Sequence, residues 1–174
     1  MKRKVLILFL TGLLSAVLTV PSQAGRNRAG AVYAMTNADT GNEVVVYDRD
    51  AHGRLTQADS YPTDGLDSGG QLDPLGSQGS LILSLDRRWL IAVNAGSNEI
   101  SVFRVRRNRL TLTDTAGSGG LFPTSLTLDR NLLYVLNAGD GTVGAFRMNA
   151  NGTLTDLGAA GGLPSPYAQG IAAR

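Results

Sequence analysis

A seven-residue stretch occurs twice in this chain, 43 positions apart, and it constrains the fold more than any other feature. Residues 90–96 and 133–139 are apolar runs that end in Asn-Ala-Gly, and residues 32–38 are a weaker third copy. Each copy leads into a second apolar stretch, and a third stretch that opens on Leu-Thr follows after a turn. Self-similarity of this kind predicts an array of equivalent structural units.

The units are predicted to consist of β-strands. Short β-branched and aromatic runs alternate with Gly, Asn and Asp clusters, and no apolar period of 3.6 residues is sustained. Another strand, at 80–85 in one repeat and 125–128 in the next, precedes the Asn-Ala-Gly stretch, and its Leu81, Leu83 and Leu85 are expected to face a neighbouring unit. Four strands in about 43 residues is the period of a β-propeller blade. We therefore predict an all-β chain that forms a partial β-propeller, with about three four-stranded blades plus one extra strand.

The repeats also predict how the chain is divided. The predicted segments are blade 1 at about 30–60, a long connection at 61–78, blade 2 at about 79–116, blade 3 at about 122–158 and the first strand of a fourth blade at about 167–173. Blade 1 lacks its innermost strand, and 150 residues amount to about 3.5 repeats, whereas closed rings have about four to eight blades. Two explanations stay open: the chain is a fragment of a longer propeller, or two chains close a ring of six blades.

Residues 1–24 have the layout of a secretory signal peptide. Met1 to Lys4 are positively charged, residues 5–20 carry no charge, and residues 22–24 form a small-x-small cleavage site. A membrane anchor is the alternative, but 16 residues are few for a span and Pro21 follows at once. We expect cleavage after Ala24 and a secreted or periplasmic protein, which folds without disulfides because the chain has no Cys.

The net charge falls close to zero once this segment is removed. The chain has 16 basic residues and 14 acids, and removal of Lys2, Arg3 and Lys4 leaves a net charge of −1. This balance gives no electrostatic reason to expect nucleic acid, or a membrane after cleavage, as a partner. The basic run from Arg104 to Arg109 is accordingly interpreted as a solvated strand edge.

Three runs carry a family resemblance. Residues 73–80, 92–103 and 133–139 resemble the N-terminal part of the lactonase-type seven-bladed propellers, which include 6-phosphogluconolactonase-like proteins of bacteria and carboxymuconate cyclases of fungi. The resemblance implies a small-molecule lactone as ligand and hydrolysis of a cyclic ester, of the sugar-lactone type, by the complete propeller. The catalytic His, Arg and Glu proposed for that family lie in blades beyond those of this chain, so the isolated chain is expected to be inactive. The alternative is a non-catalytic secreted propeller that serves as a binding or scaffold module.

The connection at 61–78 is the strongest candidate for a functional site. It makes the first interval between repeats 57 residues long, against 43 for the next, and long connections are often functional. Because blade-to-blade connections emerge on the face of a propeller that holds the pocket, its polar side chains are expected there. The pocket-face candidates are Asp67, Asp73, Ser77 and Gln78, with Asp64 beside them and Gln169 in the predicted fourth blade. A solvated loop without a ligand is the alternative, and the catalytic residues themselves are not predicted.

Several other residues are assigned structural roles or none. His52 falls in a turn on the opposite face, and the surrounding Asp48–Gly53 run resembles a calcium loop but is interpreted as a hairpin turn, because the other repeats lack its acids. Asn94 and Asn137 are expected to close turns onto their own backbone. No cofactor is predicted, a divalent metal in the central channel is left open, and unpaired blade edges predict self-association.

Overall fold

The computed structural model describes residues 28–70, 78–163 and 170–174, and these residues form eleven β-strands and no helix. The strands are β1 (Arg28–Met35), β2 (Glu43–Asp50), β3 (Leu55–Pro62), β4 (Leu81–Leu83), β5 (Trp89–Asn94), β6 (Glu99–Arg106), β7 (Arg109–Gly117), β8 (Pro123–Asp129), β9 (Leu132–Asn137), β10 (Thr142–Met148) and β11 (Leu154–Ala160).

The strands build three antiparallel sheets in which spatial order follows chain order. The first sheet is β1-β2-β3, the second is β4-β5-β6-β7 and the third is β8-β9-β10-β11. Successive up-and-down sheets that pack face to face are the blades of a propeller. The prediction of an all-β partial propeller is confirmed, and the first sheet has three strands rather than four.

Two apolar layers join the three sheets. Val44 and Val46 of the first sheet pack with Leu90 and Phe103 of the second, whereas Ile91 belongs to the layer between the second and third sheets. Successive residues of β5 therefore enter different layers, and all six of its residues are buried. A strand buried on both faces has no polar side to alternate with, which explains its continuous apolar run.

Each sheet has a register shift at the same place, between its last two strands. The shifts lie between Val46 and Tyr47, between Val102 and Phe103, and between Ala145 and Phe146. An extra residue in one strand of a pair bends that strand and increases its local twist. The three sheets therefore share an irregularity at an equivalent place in their outer strands.

The innermost strand β4 is shorter than predicted, and its alternation is wrong at two positions. Leu81 packs into the first apolar layer as expected, but Leu83 is 40% exposed and Leu85 is 99% exposed. The Ser84 hydroxyl accepts hydrogen bonds from the backbone N–H groups of Arg88 (3.2 Å) and Trp89 (3.0 Å). These bonds turn the chain at Ser84, so Leu85 lies in the turn rather than in the strand.

Two predictions fall wholly or partly outside the described residues. The signal peptide at 1–24 lies outside them, and so do residues 167–169 of the predicted extra strand. Residues 170–174 carry no regular secondary structure. Within 28–70, 78–163 and 170–174, no helix has the length and hydropathy of a membrane span.

Candidate functional site

The sheet-to-sheet connections and the turns between the second and third strands of each blade lie at one end of the molecule, here called the connection face. In the structure these turns are β1–β2, β5–β6 and β9–β10, and the connections follow β3, β7 and β11. Contacts between them, such as Gly96 N–H to Leu66 C=O (3.0 Å), bring the blades together at this end. The predicted pocket residues belong to this face.

A buried polar network joins the first two blades at the connection face. The Asn42 Nδ2 group donates to Asp67 Oδ2 (3.2 Å) and to Asn94 Oδ1 (3.1 Å). Asn94 Nδ2 in turn donates to Ser101 Oγ (2.8 Å), and Ser101 Oγ donates to the Thr63 carbonyl (2.6 Å). All five residues are buried, and each hydrogen bond reduces the cost of removing a polar group from water.

The carboxyl group of Asp67 is the one ionisable group in this network. Burial raises the pKa of Asp67, and the backbone N–H groups of Ser68 and Ala95 lower it by less. Asp67 Oδ1 accepts from the Ser68 N–H (2.8 Å), and Oδ2 is engaged by Asn42. The Oδ2 bond therefore ties the connection to Asn42 of the first blade, and the Ala95 backbone N–H ties the carboxylate to the second blade, which leaves little of it for a ligand.

The joint between the second and third blades repeats part of this network. Asn137, 43 residues after Asn94, donates from Nδ2 to the Ser118 carbonyl (3.3 Å) and to Thr142 Oγ1 (3.2 Å). The Phe122 N–H donates to Asn98 Oδ1 (2.7 Å). Asn137 Oδ1 is buried without a hydrogen-bond partner among the described residues, whereas the equivalent oxygen of Asn94 has Asn42.

Close backbone contacts complete each joint. Gly96 donates its N–H to the Leu66 carbonyl, and Gly139 donates its N–H to the Leu121 carbonyl at 2.9 Å. A Cβ atom on Gly139 would lie 2.9 Å from that carbonyl oxygen, and one on Gly96 would meet the Asp67 carbonyl at 2.5 Å. The glycine of the Asn-Ala-Gly repeat is required because the preceding connection passes directly over it.

The predicted pocket residues are placed as follows. Asp67 lies on the connection face but inside the joint, 7% exposed. Asp64 and Gln78 are exposed on the same face. Asp73, Ser77 and Gln169 lie outside the described residues.

The sequence analysis did not identify three residues of the network, Asn42, Thr63 and Ser101. It predicted a structural role for Asn94, but with the wrong hydrogen-bond partners. Asn94 has a structural role, but its side chain bonds Asn42 of another blade and Ser101 of the next strand rather than closing its own turn. A signal for the missed asparagine was present, because the pair Asn-Glu occurs at 42–43 and again at 98–99, directly before equivalent strands.

The opposite face carries the remaining turns and a cleft of about 430 Å³ between the second and third blades. His52 is exposed there, in the β2–β3 turn. In the same turn Asp50 Oδ1 accepts from the backbone N–H groups of His52 (2.8 Å) and Arg54 (2.9 Å), which is a hairpin turn stabilised by a side chain. Among the described residues no group of three or more acids or histidines is arranged to hold a metal ion.

The fold and the repeated joints define a β-propeller built from equivalent blades. The sequence profile of the family described as "Lactonase, 7-bladed beta-propeller" matches residues 26–168. This match covers most of the chain, which therefore belongs to that family. A comparison with curated proteins found no significant match.

Solved structures share the fold. The periplasmic gluconolactonase of Pseudomonas aeruginosa has a TM-score of 0.56 and 24% identity, over 71% of this chain and 35% of that one. A protein from Lactobacillus plantarum has a TM-score of 0.61 and 22% identity, over 76% and 39% of the two chains. A functionally unknown protein from Desulfotomaculum acetoxidans has a TM-score of 0.56 and 20% identity, over 81% of this chain and 46% of that one. The matched part corresponds to between about a third and a half of each of these proteins.

Proposed function

We propose that this chain provides blades of a secreted or periplasmic propeller that hydrolyses cyclic esters, of the sugar-lactone type, when the ring is complete. The observation that carries the proposal is the family match over residues 26–168, which coincides with the three blades. The name of the periplasmic gluconolactonase, a protein of the same fold, gives independent support for the substrate class and the compartment.

The connection face is the proposed substrate side. Lactone hydrolysis requires a group that activates water and donors that stabilise the developing oxyanion. The polar groups that this chain offers there are Asp64, Asp73, Ser77 and Gln78, with Gln169 from the predicted fourth blade. Asp67 is a positioning residue in this proposal, because its carboxylate fixes the connection from which the others extend.

An activity assay on a complete, folded propeller that contains this chain tests the proposal. Base consumption is followed at constant pH with gluconolactone, 6-phosphogluconolactone and simple γ- and δ-lactones, against the spontaneous rate. We expect saturable hydrolysis of at least one sugar lactone, lowered by Asp73→Asn and unchanged within about twofold by His52→Ala on the opposite face. A complete, folded propeller without turnover on the whole panel would contradict the proposed hydrolysis.

The second candidate is a non-catalytic binding propeller. It is favoured by one observation: Asp67, Asn94 and Asn137, three polar side chains of the connection face, are committed to the joints between blades. Calorimetric titration with the same lactones separates the two functions, because a binding module gives saturable heat without hydrolysis.

The proposed compartment has its own test. Export with cleavage after Ala24 predicts a mature N-terminus at Gly25, and mass spectrometry of the protein from the cell envelope or medium reads it directly. An intact N-terminus on a membrane-bound product would support the anchor instead.

A further inference from the structure

The charges of this protein are separated between its two faces. The face opposite the connection face consists of the β2–β3, β4–β5, β6–β7, β8–β9 and β10–β11 turns with the strand residues up to three positions from them. It carries the arginines Arg49, Arg54, Arg87, Arg88, Arg104, Arg106, Arg107, Arg109, Arg130 and Arg147. It is here called the arginine face.

Arginines outnumber acids on the arginine face, whereas the other face carries acids without basic residues. The acids of the arginine face are Asp48, Asp50, Asp86, Asp129 and Asp156. Those of the described connection face, by the same rule, are Asp39, Glu43, Asp64, Asp67, Glu99 and Asp140, with no Arg or Lys among them. The near-neutral total thus divides into a strongly basic face and an acidic one, and a field of this kind orients a protein toward an anionic surface.

The arginine side chains are available to such a surface. Arg87, Arg88, Arg106, Arg107 and Arg109 are exposed, and they come from two turns of the central blade. Exposed arginines also come from the turns or strand ends of the first and third blades, so the basic charge extends across all three.

Apolar side chains project from the same face. Leu85 is 99% exposed, in the β4–β5 turn directly before Asp86 and the two arginines that follow. Leu55, which follows the β2–β3 turn, is 49% exposed. Leu85 also borders the cleft between the second and third blades, whose lining includes the apolar Leu128 and the basic Arg130.

We propose that the arginine face docks the protein on an anionic lipid bilayer, with Leu85 inserted among the headgroups. The arginines would contact lipid phosphates and carboxylates, while the leucine enters the boundary between headgroups and acyl chains. This orientation leaves the connection face directed away from the bilayer, and the inference is independent of what that face binds.

A lipid surface fits this face better than a nucleic acid does. Binding of single strands relies on exposed aromatic side chains on which bases stack. The indole of this face, Trp89, is 5% exposed, and Arg104 covers its ring at 5.7 Å. A fully exposed leucine gains from apolar insertion into a bilayer and has no equivalent partner on a phosphate backbone.

Vesicle cosedimentation of the chain from Gly25 onward, the proposed mature form, tests the proposal. The vesicles are phosphatidylcholine alone, or with about a third phosphatidylserine, at low and high salt. Since a basic residue near an anionic surface contributes roughly fivefold to binding, we expect Arg106→Ser with Arg109→Ser to weaken binding to anionic vesicles by about 25-fold at low salt. We expect Leu85→Ser to weaken it by about tenfold.

Matched variants on the connection face are the controls. Thr40→Glu with Leu121→Glu lowers the net charge by the same two units, and Leu121→Ser removes an equally apolar side chain that is 55% exposed. Both should stay within about threefold of the wild type. All variants are made in the chain from Gly25 onward, because the basic residues 2–4 and the uncharged apolar run at 5–20 would themselves bind vesicles.

Three results would overturn the proposal. The first is equal binding to neutral and anionic vesicles by the wild type. The second is an equal effect of the arginine pair and its control, since net charge would then explain the binding. The third is tighter binding to a DNA duplex, sensitive to the arginine pair but not to Leu85→Ser, which would identify a nucleic-acid surface.

Discussion

Asn94 is the side chain on which the joint between the first two blades depends. Its oxygen accepts from Asn42 and its nitrogen donates to Ser101, all within a buried network. We expect Asn94→Ala to lower the free energy of unfolding by about 2–4 kcal/mol, because it removes an acceptor of the buried Asn42 amide and the donor to Ser101 Oγ. Urea denaturation followed by tryptophan fluorescence measures the loss, with Asn131→Ala, an exposed asparagine, as the control. An equal and small effect of both substitutions would show that the network contributes little.

Asp67 gives the same joint a dependence on pH. Burial raises its pKa above the usual 3.8 in the folded chain, so the folded state holds this proton more tightly than the unfolded chain does. The contribution of Asp67 to the free energy of unfolding is therefore fully present below 3.8 and is lost as the pH rises through the raised pKa.

The variant Asp67→Asn isolates this titration. We expect the stability of the wild type minus that of the variant to fall as the pH rises above the usual pKa of 3.8, and to level off once the pH exceeds the raised pKa. Denaturation at several pH values measures it, and a difference that rises with pH would mean that hydrogen bonds to the carboxylate outweigh its burial.

At the scale of elements, the turns on the arginine face pack differently although they repeat in sequence. Gly152 of the β10–β11 turn and Gly53 of the β2–β3 turn both have positive φ, 91° and 83°. A Cβ atom on Gly152 would overlap the Trp89 ring of the neighbouring blade, whereas one on Gly53 meets open space. Gly53→Ala is expected to cost about 1 kcal/mol through backbone strain. Gly152→Ala should lower the free energy of unfolding by about 2 kcal/mol more than Gly53→Ala, because of the overlap with Trp89. Thermal unfolding of both variants measures the difference, and equal losses of stability would contradict this packing.

The sequence predicts the strands and their repeat, but not the length of every strand or the contacts between distant residues. The Asn-Ala-Gly repeats predicted the all-β class and the propeller because a repeated pattern of apolar runs reports directly on repeated strands. The shortened β4 was not predictable from alternation, since the hydroxyl of Ser84 rather than hydrophobicity ends that strand. The Asn42–Asn94 contact joins residues 52 apart in the chain, and no local pattern identifies such a pair.

At the scale of the whole molecule, the first blade has an apolar face without a partner among the described residues. Ala31, Tyr33 and Met35 of β1 pack toward the second blade, while Val32, between them, is 38% exposed. We expect concentration-dependent self-association of the chain, because an edge strand and an apolar face both favour further pairing.

Sedimentation velocity of Val32→Lys tests this expectation. A charge on an edge strand opposes pairing, so the variant should shift the association to concentrations about tenfold higher. Leu85→Lys, at a position 99% exposed in the β4–β5 turn rather than on an edge strand, is the control. A wild type that stays monomeric at every concentration would count against the expectation.

The net charge of the chain does not show how the charges are distributed over the folded molecule. A value near zero predicted the absence of anionic partners, but the alternation of strand direction sends the arginine-rich turns to one face and the acidic connections to the other. The candidate site was also only partly accessible to sequence reasoning. The long connection and its acids were identified, but whether an acid such as Asp67 faces a ligand or a neighbouring blade depends on packing between sheets.

The close contacts at Gly96 and Gly139 bear on how the number of blades in a propeller can evolve. Each contact is formed by backbone atoms, the N–H of a glycine and the carbonyl of a leucine in the preceding connection. The repeated Asn-Ala-Gly stretch supplies this glycine together with the asparagine of the polar joint, so each repeat carries the main groups that its joint requires. A gene segment duplicated by unequal crossing-over would therefore encode a blade that already fits its neighbours, and rings of different size can arise without the invention of new joints.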